Sequence, residues 1–173
     1  MKKIICMVLG LVFLVGCSST VSTNETKKES KQEAEKQTET TGLANPFVTC
    51  QTMEEAKTVA GFEMSYPESV LDSSTTLLQA MEASMIQVIY NDSSDNEILR
   101  IRKSTSTDDI TGDYETYVDE FDEDFDGVSV HVKGGNGEYI VMSWNVDEYQ
   151  YCVLAQNHPL TQEEFKNVLE NVH

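Results

Sequence analysis

Apolar and polar positions divide the chain into three regimes. Ile4 to Val15 is an unbroken apolar run, residues 18–42 hold only Val21 and Ala34 as apolar side chains, and periodic patterns take over from residue 43. In that last stretch Thr52-Met53-Glu54-Glu55 has the form of a capping box. Met53, Ala56, Val59 and Ala60 share one helical face and Gly61 supplies a stop, which predicts a helix over 52–60. After Pro67 the period shortens to two. Strands are predicted at 75–81, 85–90, 97–103, 128–132, 138–144 and 149–155, with turn sequences at 91–96, 134–137 and 145–148. Tyr114, Val118, Phe121 and Phe125 recur at helical spacing and predict a second, acidic helix. In the last helix Thr161 and Glu164 form a capping box and Leu160 can staple Phe165. Phe165, Val168, Leu169 and Val172 make its apolar stripe. Hairpin-linked strands flanked by helices predict an α+β fold, a mostly antiparallel sheet of about five to six strands with helices packed on one face. No internal repeat is visible.

The first apolar run follows Lys2 and Lys3 and gives way to Ser18-Ser19-Thr20. A basic start and a short apolar core are the features of a secretory signal peptide; a spanning helix needs about 20 apolar residues. The run ends in Leu14-Val15-Gly16-Cys17, which resembles the lipobox of bacterial lipoproteins. The resemblance implies cleavage before Cys17, a diacylglyceryl thioether on its sulfur and, often, acylation of the new amino group; Cys6 leaves with residues 1–16. Two or three acyl chains hold a protein on a bilayer where one chain binds marginally.

Charge sharpens the division. The chain carries 30 acidic against 12 basic side chains, a formal net charge of −18. Residues 18–42 hold four Lys and five Glu, whereas residues 43–173 hold six basic and 25 acidic side chains. The acidity therefore belongs to the folded part, and it argues against nucleic acid, which needs clustered Lys and Arg. Residues 17–42 are too polar to offset their ordering entropy and are expected to be a lipid-anchored flexible linker. Residues 43–173 form the extracytoplasmic domain.

The domain's own signatures are Asn45-Pro46-Phe47, the helix ending Ala60-Gly61-Phe62, Pro67, Ile101-Arg102-Lys103-Ser104, Asp109-Ile110-Thr111-Gly112-Asp113-Tyr114, Gly134-Gly135, Trp144 and Tyr151. Together they resemble an uncharacterised extracytoplasmic domain family common in Firmicutes, with relatives on lipoproteins and on anti-sigma-like membrane regulators. The likeness implies the fold class and the location. It brings no activity and no catalytic residue.

Four constellations carry chemistry. Asp122, Asp124 and Asp126 before Gly127 match the first half of an EF-hand-type loop, but Lys133 stands where a bidentate Glu closes such a site. A solvated helix end competes with a weak calcium site for this segment. Cys50 and Cys152 form an even pair that can oxidise outside the membrane, against the alternative of two buried thiols. Arg100, Arg102 and Lys133, with Lys103 and His131 beside them, can make an anion patch if their strands face one another; pairing with the domain's own carboxylates is the alternative. Trp144, Tyr149 and Tyr151 read as core more readily than as a pocket. Catalytic motifs are missing: there is no H-E-x-x-H, C-x-x-C or G-x-S-x-G, nothing calls for a cofactor, and only a Cys152–His158 dyad suggests itself. The expectation is a membrane-anchored surface lipoprotein that binds or senses an unknown protein or small molecule without catalysis. A carboxylate-dependent cell-envelope hydrolase and a weak calcium-binding interaction protein are the alternatives.

Overall fold

A computed structural model describes residues 44–155 and 157–173. The expected signal peptide, the lipobox-like stretch with Cys17 and the expected linker lie outside the described residues. Eight strands and two helices follow in the order β1 (Val48–Cys50), α1 (Met53–Ala60), β2 (Thr75–Met81), β3 (Met85–Asn91), β4 (Glu97–Ser104), β5 (Asp119–Phe125), β6 (Val128–Gly135), β7 (Glu138–Val146), β8 (Tyr149–Leu154) and α2 (Gln162–Leu169). All strands belong to one antiparallel sheet in the order β1-β2-β3-β4-β8-β7-β6-β5. Two four-stranded meanders are thus joined through the last strand of each. Among the described residues no helix is long and apolar enough to cross a membrane.

Both helices form where their caps dictate. Thr52 Oγ1 accepts from the Glu55 N–H at 3.2 Å, while the Glu55 carboxylate turns back to the Gln51 N–H rather than to Thr52. Gly61, at φ +86°, closes α1 by donating to the Lys57 carbonyl. At α2 the box is reciprocal: Thr161 Oγ1 accepts from Glu164 N, and the Glu164 carboxylate accepts from Thr161 N. Such caps contribute about 1 kcal/mol each. Ala56 and Ala60 of α1 and Phe165 and Val168 of α2 enter one core with Leu78, Ile86, Val88, Leu99, Ile101, Val130, Val132, Met142 and Val153. One face of the sheet therefore carries both helices. A smaller cluster of Met85, Ile110, Val141, Cys152 and Leu154 lies on the other face.

Two expectations are corrected. The sheet has eight strands rather than five to six, because the three-residue edge strand β1 and the acidic edge strand β5 both join it. The second helix does not form: residues 105–118 run as an irregular crossover and Asp119–Phe125 pairs along its whole length with β6. Phe121 and Phe125 are four apart, a spacing that suits a helical turn and one face of a strand equally. Tyr114 and Val118, the other half of the presumed stripe, are 93% and 86% exposed. Five carboxylates on an edge strand disfavour pairing with a further chain, which offsets the poor strand propensity of Asp.

Candidate functional site

The face opposite the helices is organised by cross-strand rows. One row crosses the entire sheet: Thr49, Gln79, Gln87, Arg102, Cys152, Ser143, His131, Asp122. Its first half is a hydrogen-bonded polar ladder. Gln87 Nε2 donates to Gln79 Oε1 at 2.7 Å and Arg102 Nε donates to Gln87 Oε1 at 3.0 Å. Arg102 Nη1 then donates to the carbonyls of Ile110 and Thr111, at 2.6 and 3.0 Å, and so straps the crossover onto the sheet. Ile110 packs with Val141, Cys152 and Leu154 beneath it.

This strap dissolves the anion patch. Arg102 is spent on the chain's own carbonyls and Arg100 pairs with Glu97 at 2.5 Å. Lys133 lies opposite Glu120 on β6, three strand positions from β4, about 14 Å at ordinary strand spacing. Lys103 points to the helix face, where it donates to the Glu63 carbonyl at 2.8 Å over the rings of Tyr149, Tyr151 and Phe62. Burial pushes its pKa down. Trp144 stacks on Tyr151 with centroids 5.4 Å apart, so these aromatics are core.

The disulfide does not form. Cys50 and Cys152 are both free buried thiols. Cys50 lies on β1 and Cys152 on β8, four strand positions or about 19 Å apart, against the roughly 7 Å limit between Cα atoms. Burial pushes the Cys152 thiol up to about 12, which removes it as a nucleophile near neutrality. His158 lies near Glu164 at the start of α2, whereas Cys152 packs with Ile110 in the cluster on the opposite face of the sheet. The dyad is not assembled.

The Asp122-to-Gly127 segment is neither a helix end nor a cation loop. Asp126 and Gly127 take φ +54° and +92° between the paired residues Phe125 and Val128, the signature of a type I′ hairpin. Asp-Gly is among the strongest sequence signals for that turn. Its carboxylates diverge: Asp122 bonds His131, Asp124 accepts from the Gly127 N–H at 3.0 Å, and Asp126 pairs with Lys166 of α2 at 3.0 Å. Among the described residues no three His, Cys, Asp or Glu side chains are placed to share a metal ion.

In the β5–β7 half the second face carries solvent-facing polar side chains. His131 Nδ1 lies 2.8 Å from Asp122 Oδ1 and its Nε2 lies 2.9 Å from Glu120 Oε1. The hydrogen bond with Asp122, reinforced by Glu120, raises the histidine pKa against a smaller effect of burial. Ser143, opposite His131, completes a serine–histidine–aspartate sequence across the strands. Yet Nε2 faces Glu120, so the ring is arranged to donate twice to carboxylates rather than to take a serine proton.

Beside this row the sheet opens. The β6–β7 ladder ends at His131 and Ser143, although β6 begins at Val128 and β7 runs on to Val146. Past that point β6 stays with β5 as far as Val128, and β7 stays with β8 as far as Val146. The two hairpins therefore diverge around a groove of about 570 Å³ lined by Asp122, Ser129, His131, Ser143, Asn145 and Val146, among others. Two-residue turns put Phe125–Val128 and Val146–Tyr149 in hydrogen-bonded pairs. By alternation, Ser129 and Asn145 aim their backbone N–H and C=O into the groove. Sequence reasoning passed over Ser129, Ser143 and Asn145, since each is one polar residue of a half-exposed strand. Only counting back from the two hairpin tips places them together.

No protein family, curated protein or solved structure matches this chain in comparison.

Proposed function

We propose that the chain is a membrane-anchored surface lipoprotein, held on the extracytoplasmic face through Cys17, whose folded part is a non-catalytic binding or sensing module. The groove between β6 and β7 is its ligand surface. One observation carries this reading: the sheet parts there, so that side chains and backbone groups of two hairpins face solvent in a single concavity. Elsewhere the second face is strapped down by Arg102 and the crossover. The engagement of both His131 nitrogens by carboxylates, and the burial of Cys152, favour binding over nucleophilic catalysis at this row. The lipobox supports the anchor, and the acidic domain suits a protein held off an anionic bilayer.

Both halves of the reading are testable on the full chain. Cys17→Ala is expected to move the protein out of the membrane fraction; retention there refutes the anchor. A screen of small amines, sugars and dipeptides, followed by amide chemical shifts, is expected to concentrate changes at Ser129, His131, Ser143 and Asn145. Changes scattered over other surfaces refute the groove as the site.

A further inference from the structure

We propose that the β6–β7 split binds an extended basic peptide segment, whose backbone pairs with Ser129 on one side and Asn145 on the other. This rests on the groove being the ligand surface and assigns the chemistry of what enters it. Had the β6–β7 ladder continued, Ser129 and Asn145 would have been partners, being the next same-face positions beyond His131 and Ser143. Instead each presents an open strand edge. The group that satisfies such an edge without cost is another peptide backbone, which offers N–H and C=O in alternation. Sugar hydroxyls donate and accept but do not keep the spacing of a strand, and a single ammonium only donates.

Charge selects among peptides. One wall of the split ends in the β5–β6 hairpin, with Asp122, Asp124 and Asp126; the other ends in the β7–β8 hairpin, whose turn is Asp147-Glu148. Asp122 lines the groove and is met by His131; Asp124, Asp126, Asp147 and Glu148 stand on the two hairpin tips at its open end, where Lys166 meets only Asp126, so that end is net acidic. A segment with Lys or Arg at alternate positions places its cations along those carboxylates while its backbone lies between the hairpins. The exposed Val146 offers an apolar contact to the residues between. The occupant is therefore an extended, alternating basic–apolar stretch of a partner protein.

The experiment uses the full chain and a short alternating Lys–Val peptide as the probe, with a Glu–Val peptide and a Lys–Val peptide N-methylated on one edge as controls. Titration is followed by amide shifts. The Lys–Val peptide is expected to shift Ser129 and Asn145, to slow their amide exchange, and to bind less tightly as salt rises. N-methylation on the pairing edge is expected to weaken binding by at least about tenfold, the loss that follows from deleting backbone hydrogen bonds. Equal affinity of the methylated peptide, or shifts confined to the acidic turns, overturns the proposal, because simple charge attraction would then account for binding. Small-molecule shifts at the groove would survive that outcome, so the broader binding reading fails separately.

Discussion

A run of glycines in the β6–β7 hairpin provides a graded test of how closely the two strands approach. A Cβ placed on Gly134 would sit 1.9 Å from the Glu138 carbonyl oxygen and 3.0 Å from its carbon, both backbone atoms. Ordinary contact begins near 3.4 Å, so β7 has to retreat by roughly 1.5 Å to admit Gly134→Ala. The cause is the bulge beside it: Lys133 pairs with Val141 but Gly134 with Tyr139, and the extra residue pushes the β7 backbone towards β6. Retreat also pulls on Tyr139, which exchanges both backbone hydrogen bonds with Leu160 just ahead of α2. Overpacking at about 1–3 kcal/mol plus one or two weakened ladder bonds gives a loss of about 2–6 kcal/mol. Gly135→Ala meets nothing nearer than the Val118 side chain at 3.4 Å, and its cost is expected below about 1 kcal/mol. Gly137→Ala clashes with nothing but sits at φ +81° in the type I′ turn, for about 1–2 kcal/mol. Urea unfolding read by the single tryptophan, Trp144, which is buried against Tyr151, reports all three variants. A Gly134→Ala midpoint within about 1 kcal/mol of wild type, or a Gly135→Ala loss that equals it, refutes the reasoning.

Two further outcomes follow from the second face. His131 has to be protonated to donate to both Asp122 and Glu120, since a neutral ring carries one N–H. Its folded pKa is raised above the ordinary 6.5, so the clamp between β5 and β6 is fully present below that value and is lost as pH rises through the folded midpoint. Glu120, Asp122 and Asp124 on β5, Lys133 on β6 and Asp109 near Lys133 are the charges around it. Amide exchange in β5 is expected to rise through that window more steeply than intrinsic exchange does, and His131→Gln is expected to flatten the response; identical profiles would exclude the clamp. Arg102→Leu strips partners from Gln87 and from the carbonyls of Ile110 and Thr111, and is expected to cost about 2–4 kcal/mol. It also opens residues 105–118 to limited proteolysis, and Arg102→Lys recovers little because a point charge cannot serve three oxygens in a fork. Unchanged protease resistance in Arg102→Leu would show that the apolar packing of Ile110 and Tyr117 suffices to secure the crossover.

What was legible in the sequence was legible for local reasons. Caps and stripes marked α1 and α2 because Thr52, Thr161, Glu164 and Phe165 act within four residues of themselves. Six of the eight strands alternate one apolar with one polar face, or are largely apolar where both faces are covered, as in Met85 to Tyr90, all buried with Gln87 the one polar residue among them. β1 and β5 escaped that logic. β1 is three residues long and exists because β2 offers an edge; β5 is five-sevenths acidic and exists because β6 does. Their state is decided by a neighbour distant in the chain, which local propensity does not contain.

The site follows the same division more severely. Charge spacing along one strand could be read, so Arg100 and Arg102 were placed on one face; the strand order could not, and it is the order that sets Lys133 far from them and Cys50 far from Cys152. Asp122, Asp124 and Asp126 show how a single motif supports two folds. Alternating carboxylates followed by Gly can wrap a cation when the backbone coils around it, but in an extended strand Asp122 and Asp124 share one face about 7 Å apart along the chain, and the turn carries Asp126 away from them, so nothing closes around an ion. The positive φ values at Asp126 and Gly127 decide for the hairpin, and with it the carboxylates go to His131, to the turn and to Lys166. That hairpin forms one wall of the groove, and the type of turn controls which residues aim their backbone into it. An inserted residue in the Asp126-Gly127 turn would shift register and exchange Ser129 for a neighbour. The open backbone edge is therefore a property of two turn geometries acting together, at 126–127 and 147–148, and no residue within the groove announces it alone.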